Sequence, residues 1–222
     1  MAIELDFGAV LAEWPLLAQG VAWTLGLTAV STVAGLALGI AAAWARNEGP
    51  APLRWGVGLY VELIRNTPFI VQLFFIFFGL PALGVQLSPE LASVIAMVVN
   101  LGAYATEIVR AGIRATPRGQ IEAAQSLALT PAQTFVHVVL PPALRRVWPA
   151  LVSQIIIVML GSSVCGQIST EELNQAANLI QSRNFRAFES FIVAASLYLL
   201  LAMTLRRVLN EAGRRWLGGT HG

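Results

Sequence analysis

Phe69-Ile70-Val71-Gln72-Leu73-Phe74-Phe75-Ile76-Phe77-Phe78 holds one polar side chain, Gln72, and no alternation of apolar with polar residues. A strand of a membrane barrel alternates between lipid and lumen, so an unbroken run of this kind specifies a helix. The run lies inside residues 66–89, a stretch without Asp, Glu, Lys or Arg, and residues 14–45, 91–106, 147–170 and 190–205 are likewise free of charge. Crossing a ~30 Å hydrocarbon core takes ~20 mostly apolar residues, which the shorter stretches reach with their flanks. Hydrophobic residues make up 56% of the chain and charged residues 12%, and mean hydropathy is +0.69. Soluble domains carry ~25% charged residues, so the solvent around this chain is mostly lipid. The expectation is an all-α membrane protein, a single domain over 1–222, with about five spans near 17–45, 55–80, 90–112, 147–168 and 188–208.

The basic residues orient it. The chain has no Lys. Arg46 and Arg54 bound one loop, Arg110, Arg114, Arg118, Arg145 and Arg146 bracket another (114–145), and Arg206, Arg207, Arg214 and Arg215 follow the last span. The opposite loops hold Glu4, Asp6, Glu13, Glu90, Glu171, Glu172 and Glu189 with only Arg183 and Arg186. By the positive-inside rule the N-terminus lies outside and the C-terminus in the cytoplasm, as an odd number of spans requires. The acidic N-terminus lacks the basic n-region of a cleaved signal peptide.

Several function classes are excluded. The arginines sit at membrane edges rather than on a solvated face interleaved with aromatics, which argues against nucleic acid. A lone Cys165 forms no disulfide within the chain, supplies no metal-ligand spacing, and reads as small apolar packing. A phosphate-binding P-loop requires Lys, and no His-Glu-x-x-His or nucleophile elbow is present. The polypeptide is therefore expected to hydrolyse no ATP and to hold no metal or cofactor itself.

Within the first span, Gly35 and Gly39 form a GxxxG whose reading here is packing inside the subunit. In the second, Pro68 breaks the hydrogen-bond ladder and frees carbonyls near Ile64 and Arg65, while Glu62 and Arg65, three apart, share a face on which they can pair. Arg65, Asn66, Thr67 and Gln72 either line a path or stabilise a kink. Asn100, Tyr104 and Glu107 share one face of the third span, either facing a path or bonding between helices, and Glu107 can also pair with Arg110. Ser162 and Ser163 face the same choice between a path and their own helix carbonyls.

The loop between the third and fourth spans reads as two short helices. One runs from about Pro117 to Ala128. The next takes Thr130 as N-cap, with Pro131 first and Gln133 completing a capping box, and ends at Leu140 before Pro141-Pro142. Ala123, Ala124 and Leu127 form a shallow apolar face beside Glu122, suited to a cleft on another protein. His137 reads as packing.

Glu122-Ala123-Ala124, then Ala128, then Val138-Val139-Leu140-Pro141, resembles the cytoplasmic "EAA" loop of ABC importer permeases, whose pattern is Glu-Ala-Ala, a Gly, and Ile-x-Leu-Pro. Ala128 replaces the Gly and Val138 the Ile. Residues 60–73, 100–113 and 182–189 resemble, in order, further signatures of permeases for polar amino acids. One departure is Leu160-Gly161, where the family usually carries Lys-Asp or Lys-Asn. The resemblance implies type I importer architecture, a dimeric pore of two copies or of this chain with a homologue, and a bacterial inner membrane. It implies two ATPase subunits, which hold ATP and Mg and clasp the loop at Glu122, Ala123, Ala124, Ala128, Leu140 and Pro141. It also implies an external binding protein that delivers a polar amino acid. The alternative is a five-span scaffold that recruits a cytoplasmic partner without transporting; a secondary transporter is a weaker third, since paired broken repeats are not evident.

Overall fold

The computed structural model describes residues 5–218; Glu4, one of the acidic residues used for orientation, lies outside them. Every regular element among the described residues is helical. A single turn, Gly8–Leu11, leads into α1 (Trp14–Glu48), which begins with Pro15 in its first turn and stops where the Gly49 N–H reaches Ala45 O. Ala51–Arg65 (α2) and Phe69–Leu83 (α3) meet at 111°. They are followed by α4 (Pro89–Arg114), α5 (Arg118–Ser126), α6 (Pro131–Ile168), α7 (Leu173–Asn184) and α8 (Ala187–Leu217).

Four of these helices are long and apolar enough to cross a bilayer, and the bent α2–α3 pair passes the same test taken together, making four or five candidate spans. The candidate second span, expected near 55–80 with a break at Pro68, is thus two half-helices. Asn66, Thr67 and Pro68 fill the corner, because Pro68 has no N–H to continue the ladder.

The centre is α4, whose Ala92, Ala96, Leu101, Ala103, Ala105 and Val109 have no exposed surface. Close approach by α1 depends on its small residues. A Cβ on Gly35 would come within 2.9 Å of Leu101 Cβ, and one on Gly39 within 2.5 Å of Ala105 Cβ. The GxxxG therefore packs inside this subunit, in a solvent where van der Waals contact drives helix association. Apolar clusters fill both ends. Leu27, Leu73, Met97 and Cys165 occupy one, with Cys165 in the packing role its isolation suggested; Ala43, Val109, Ile113, Val139 and Leu151 occupy the other. Leu17, Leu173 and Ile180 anchor α7.

Two expectations are corrected, and the first is His137, read as packing, which is exposed with its Nδ1 3.0 Å from Gln133 O. The helix starting at Pro131 does not end at Leu140: it runs through Pro141-Pro142 to Ile168. The turn Thr134–Val139 widens to π spacing, with the Leu140 N–H donating to Phe135 O five residues back. Such a turn gives each proline ring room and places both missing N–H groups where the tighter ladder restarts. The second loop helix and the fourth span are therefore one continuous helix.

Candidate functional site: a broken span and an exposed loop helix

At the α2–α3 corner, the orphaned carbonyls are claimed by Gln72. Its Nε2 donates to Ile64 O (2.7 Å), Thr67 O (3.0 Å) and Thr67 Oγ1 (3.0 Å), and its Oε1 accepts from Asn100 Nδ2 (3.0 Å). The side chain is 8% exposed, so these bonds replace water that the site excludes. Gln72 and Asn100 join the corner to α4.

On the other side of the corner, Glu62, Arg65, Asn66, Val61 and Tyr104 line a cavity of about 190 Å³. Arg65 lies over the Tyr104 ring, 5.4 Å from its centroid, a cation–π contact. Among the described residues no ion pair joins Glu62 to Arg65. Glu62 Oε2 instead accepts from Asn66 Nδ2 at 3.0 Å, so the shared face does not produce the expected pair. Both charged groups are left at the surface of α2, one acceptor-only and one donor-only.

Glu107, Ser162 and Ser163 do not line this cavity. Glu107 Oε1 accepts from Arg110 Nη1 (2.9 Å) and from Arg46 Nη1 (2.5 Å), tying α4 to the end of α1. Ser162 and Ser163 donate to Met159 O (2.6 Å) and Leu160 O (2.7 Å) of their own helix.

The loop segment forms a second candidate site. In α5, Ala124 is 3% exposed and turns inward with half-buried Ile121; Glu122, Ala123 and Leu127 point out, and Leu127 is 76% exposed. The outward apolar face is thus Ala123 with Leu127, one turn apart, without Ala124. Ala128 adopts φ +55°, the left-handed region. Its N–H donates to Gln125 O and the Leu129 N–H to Ala124 O, a Schellman closure whose C′ position favours glycine. Beyond it Thr130 and Gln133 form the capping box: the Gln133 N–H donates to Thr130 Oγ1 and the Thr130 N–H to Gln133 Oε1. Leu140 is half-buried and Pro141 exposed. The C-terminal end of the Glu122 helix is therefore closed and the helix that follows it is capped, while Pro117 at its N-terminus supplies no side-chain cap.

Three contacts escape reading from sequence. Arg46 reaches Glu107 across 61 positions. Tyr60 Oη donates to Val99 O (2.7 Å) against Gly102, pinning α2 to α4. Glu172, fully buried, accepts from the Asn174 and Gln175 N–H groups and from the Tyr198 hydroxyl, capping α7. Burial pushes its carboxyl above the usual range, while those three donors pull the other way. Glu172 stands at the N-cap of α7, a position that favours Ser, Thr, Asp or Asn, so its residue type gives little signal in the sequence.

The family described as "binding-protein-dependent transport system inner membrane component" matches residues 35–216. The L-cystine transport system permease protein TcyB of Bacillus subtilis is 39% identical over 91% of this chain and 87% of its own length. The glutamine transport system permease protein GlnP of Escherichia coli is 34% identical over 96% and 98%. A crystal structure of an amino acid ABC transporter with histidines superposes with a TM-score of 0.85 at 34% identity, covering 96% of this chain and 100% of that one. With most of its length matched in sequence and in fold, the chain belongs to the family of binding-protein-dependent transport system inner membrane components.

Proposed function

We propose that this permease subunit imports a polar amino acid across a bacterial inner membrane, driven by two partner ATPase subunits that hold ATP and Mg. The reading rests above all on α5, an exposed Glu122-Ala123-Leu127 surface closed at its C-terminal end and joined through residues 127–130 to α6, which runs on into a candidate membrane span. A rigid ridge of that kind transmits displacement; a flexible loop would absorb it. ATPase closure then biases the spans between inward- and outward-facing states. The N-terminus lies outside, where a binding protein delivers substrate, and the arginine-rich ends lie in the cytoplasm. A second permease, identical or homologous, completes the pore.

The path follows the α2–α3 corner. Arg65 and Asn66 offer donors to a substrate carboxylate, Glu62 an acceptor to its ammonium, and Tyr104 the opposite wall. Thr67, Gln72 and Asn100 hold the corner in shape beside it. Glu107 stands at the arginine-rich end of the path, held by Arg46 and Arg110, while Ser162 and Ser163, whose hydroxyls are taken by their own helix carbonyls, are assigned to packing.

Glu122→Arg in the full complex is the test. It places a cation where the partner is expected to supply one, and like charges in an interface cost several kcal/mol, so retained ATPase should fall at least about ten-fold. Retention equal to wild type would overturn the coupling role. A non-transporting scaffold is separated by uptake: it predicts none for any amino acid.

A further inference from the structure

A second cavity, about 690 Å³, lies between α6 and α8 at their arginine-rich ends and shares no lining residue with the α2–α3 corner or the Glu122 ridge. Its floor is Trp148, whose Nε1 donates to Leu209 O at 3.1 Å. The indole lies directly on Gly213, where a Cβ would come within 2.1 Å of it. Arg145, Arg207 and Arg214 line the cavity with Asn210 and one acid, Glu211. Glu211 is already engaged by Arg214 and Arg215. Arg145 and Arg207 have no ion-pair partner among the described residues.

The level of this cavity is set by the sequence. The apolar run of α6 begins at Val147, two residues beyond Arg145, and that of α8 ends at Leu205, two before Arg207. The two guanidinium groups therefore stand where both helices leave the hydrocarbon, above apolar walls formed by Trp148 and Pro149. Guanidinium forks match phosphate oxygens, and basic pockets between spans at this depth suit anionic headgroups.

We infer that this cavity binds the phosphodiester of an anionic phospholipid, with Arg145 and Arg207 on the phosphate oxygens, Asn210 on the polar headgroup and Trp148 against the glycerol backbone. The lipid would bridge α6, the helix that follows the loop ridge, to the last span.

The test is native mass spectrometry of the full chain in detergent, titrated with phosphatidylglycerol or phosphatidylcholine of the same acyl chains. Wild type should retain one phosphatidylglycerol preferentially. In the doubly substituted R145Q/R207Q chain that adduct should weaken about thirty-fold, the effect of two basic contacts at a membrane surface. Arg54→Gln, which removes a cation elsewhere, should leave it intact. R145K/R207K keeps both charges and should keep the preference, and rising salt should weaken the wild-type adduct even if the glutamine variant fails to fold. Equal retention of the two lipids, equal retention by wild type and R145Q/R207Q, or indifference to salt would overturn the site. Displacement of the lipid by millimolar inorganic phosphate would assign the cavity to a soluble anion and overturn the lipid assignment.

Discussion

Ala128 stands at a position whose backbone asks for glycine. A left-handed conformation costs an L-residue about 1–2 kcal/mol, and the Schellman bonds hold Ala128 there nonetheless. Ala128→Gly is expected to raise the stability of the loop by about 1 kcal/mol, read as slower hydrogen exchange at Leu127 to Leu129, whereas Ala128→Val should destabilise it. At the corner, Gln72→Leu leaves the Ile64 and Thr67 carbonyls without their donor and should cost about 1–3 kcal/mol in a detergent melt. Asn100→Ala removes one bond only and should cost about 1 kcal/mol. A melt in which the two variants fall equally would contradict the assignment of Gln72 as the residue that closes the break. Glu172 supplies a pH dependence. Its folded carboxyl binds its proton more tightly than in the unfolded chain, so its stabilising contribution is complete below the ordinary carboxylate value and is lost as pH rises through the raised one. Glu172→Gln should flatten that part of the stability–pH curve; an unchanged curve would assign the effect elsewhere.

Among the elements, legibility in the sequence follows the range of the forces involved. Pro68 announces the broken span locally, through its missing N–H, and Thr130 with Gln133 announces a helix start through a three-residue spacing. The apolar runs announce the spans because lipid selects for them over their full length. Pro141-Pro142 misleads for a physical reason: a π turn upstream, specified by no short motif, lets the helix continue through it. Glu107 with Arg110 is visible at three-residue spacing, yet the contact that ties two spans together is with Arg46, far away in sequence. The polar face of α4 is legible, but not that its members separate, Asn100 to Gln72, Tyr104 to Arg65 and Glu107 to two arginines. Since the Glu107 carboxylate is partly exposed, Arg46→Gln is expected to cost only about 1 kcal/mol in melting experiments. Gly39→Leu, which drives a side chain into Ala105, should cost more, about 1–3 kcal/mol, and loosen α1 from α4.

For the whole molecule, the chain is a bundle built around α4 with one candidate span broken at a polar corner and another continuous with the capped helix start at Thr130. Those two features stand on elements that pack on the same central helix: α3 through Leu73 and Asn100, and α6 through the cluster of Val109, Ile113 and Leu151. On the proposed mechanism, movement of the loop ridge would reach the corner through these packed helices. ATP hydrolysis by the complex of this chain with its ATPase and binding protein, reconstituted in lipid and screened across the amino acids, tests that link most directly. The account predicts stimulation by one group of polar amino acids, abolished by Glu122→Arg in the loop and by Arg65→Gln at the corner. Hydrolysis that no amino acid stimulates, or that stays fully coupled in the Glu122→Arg complex, would contradict it.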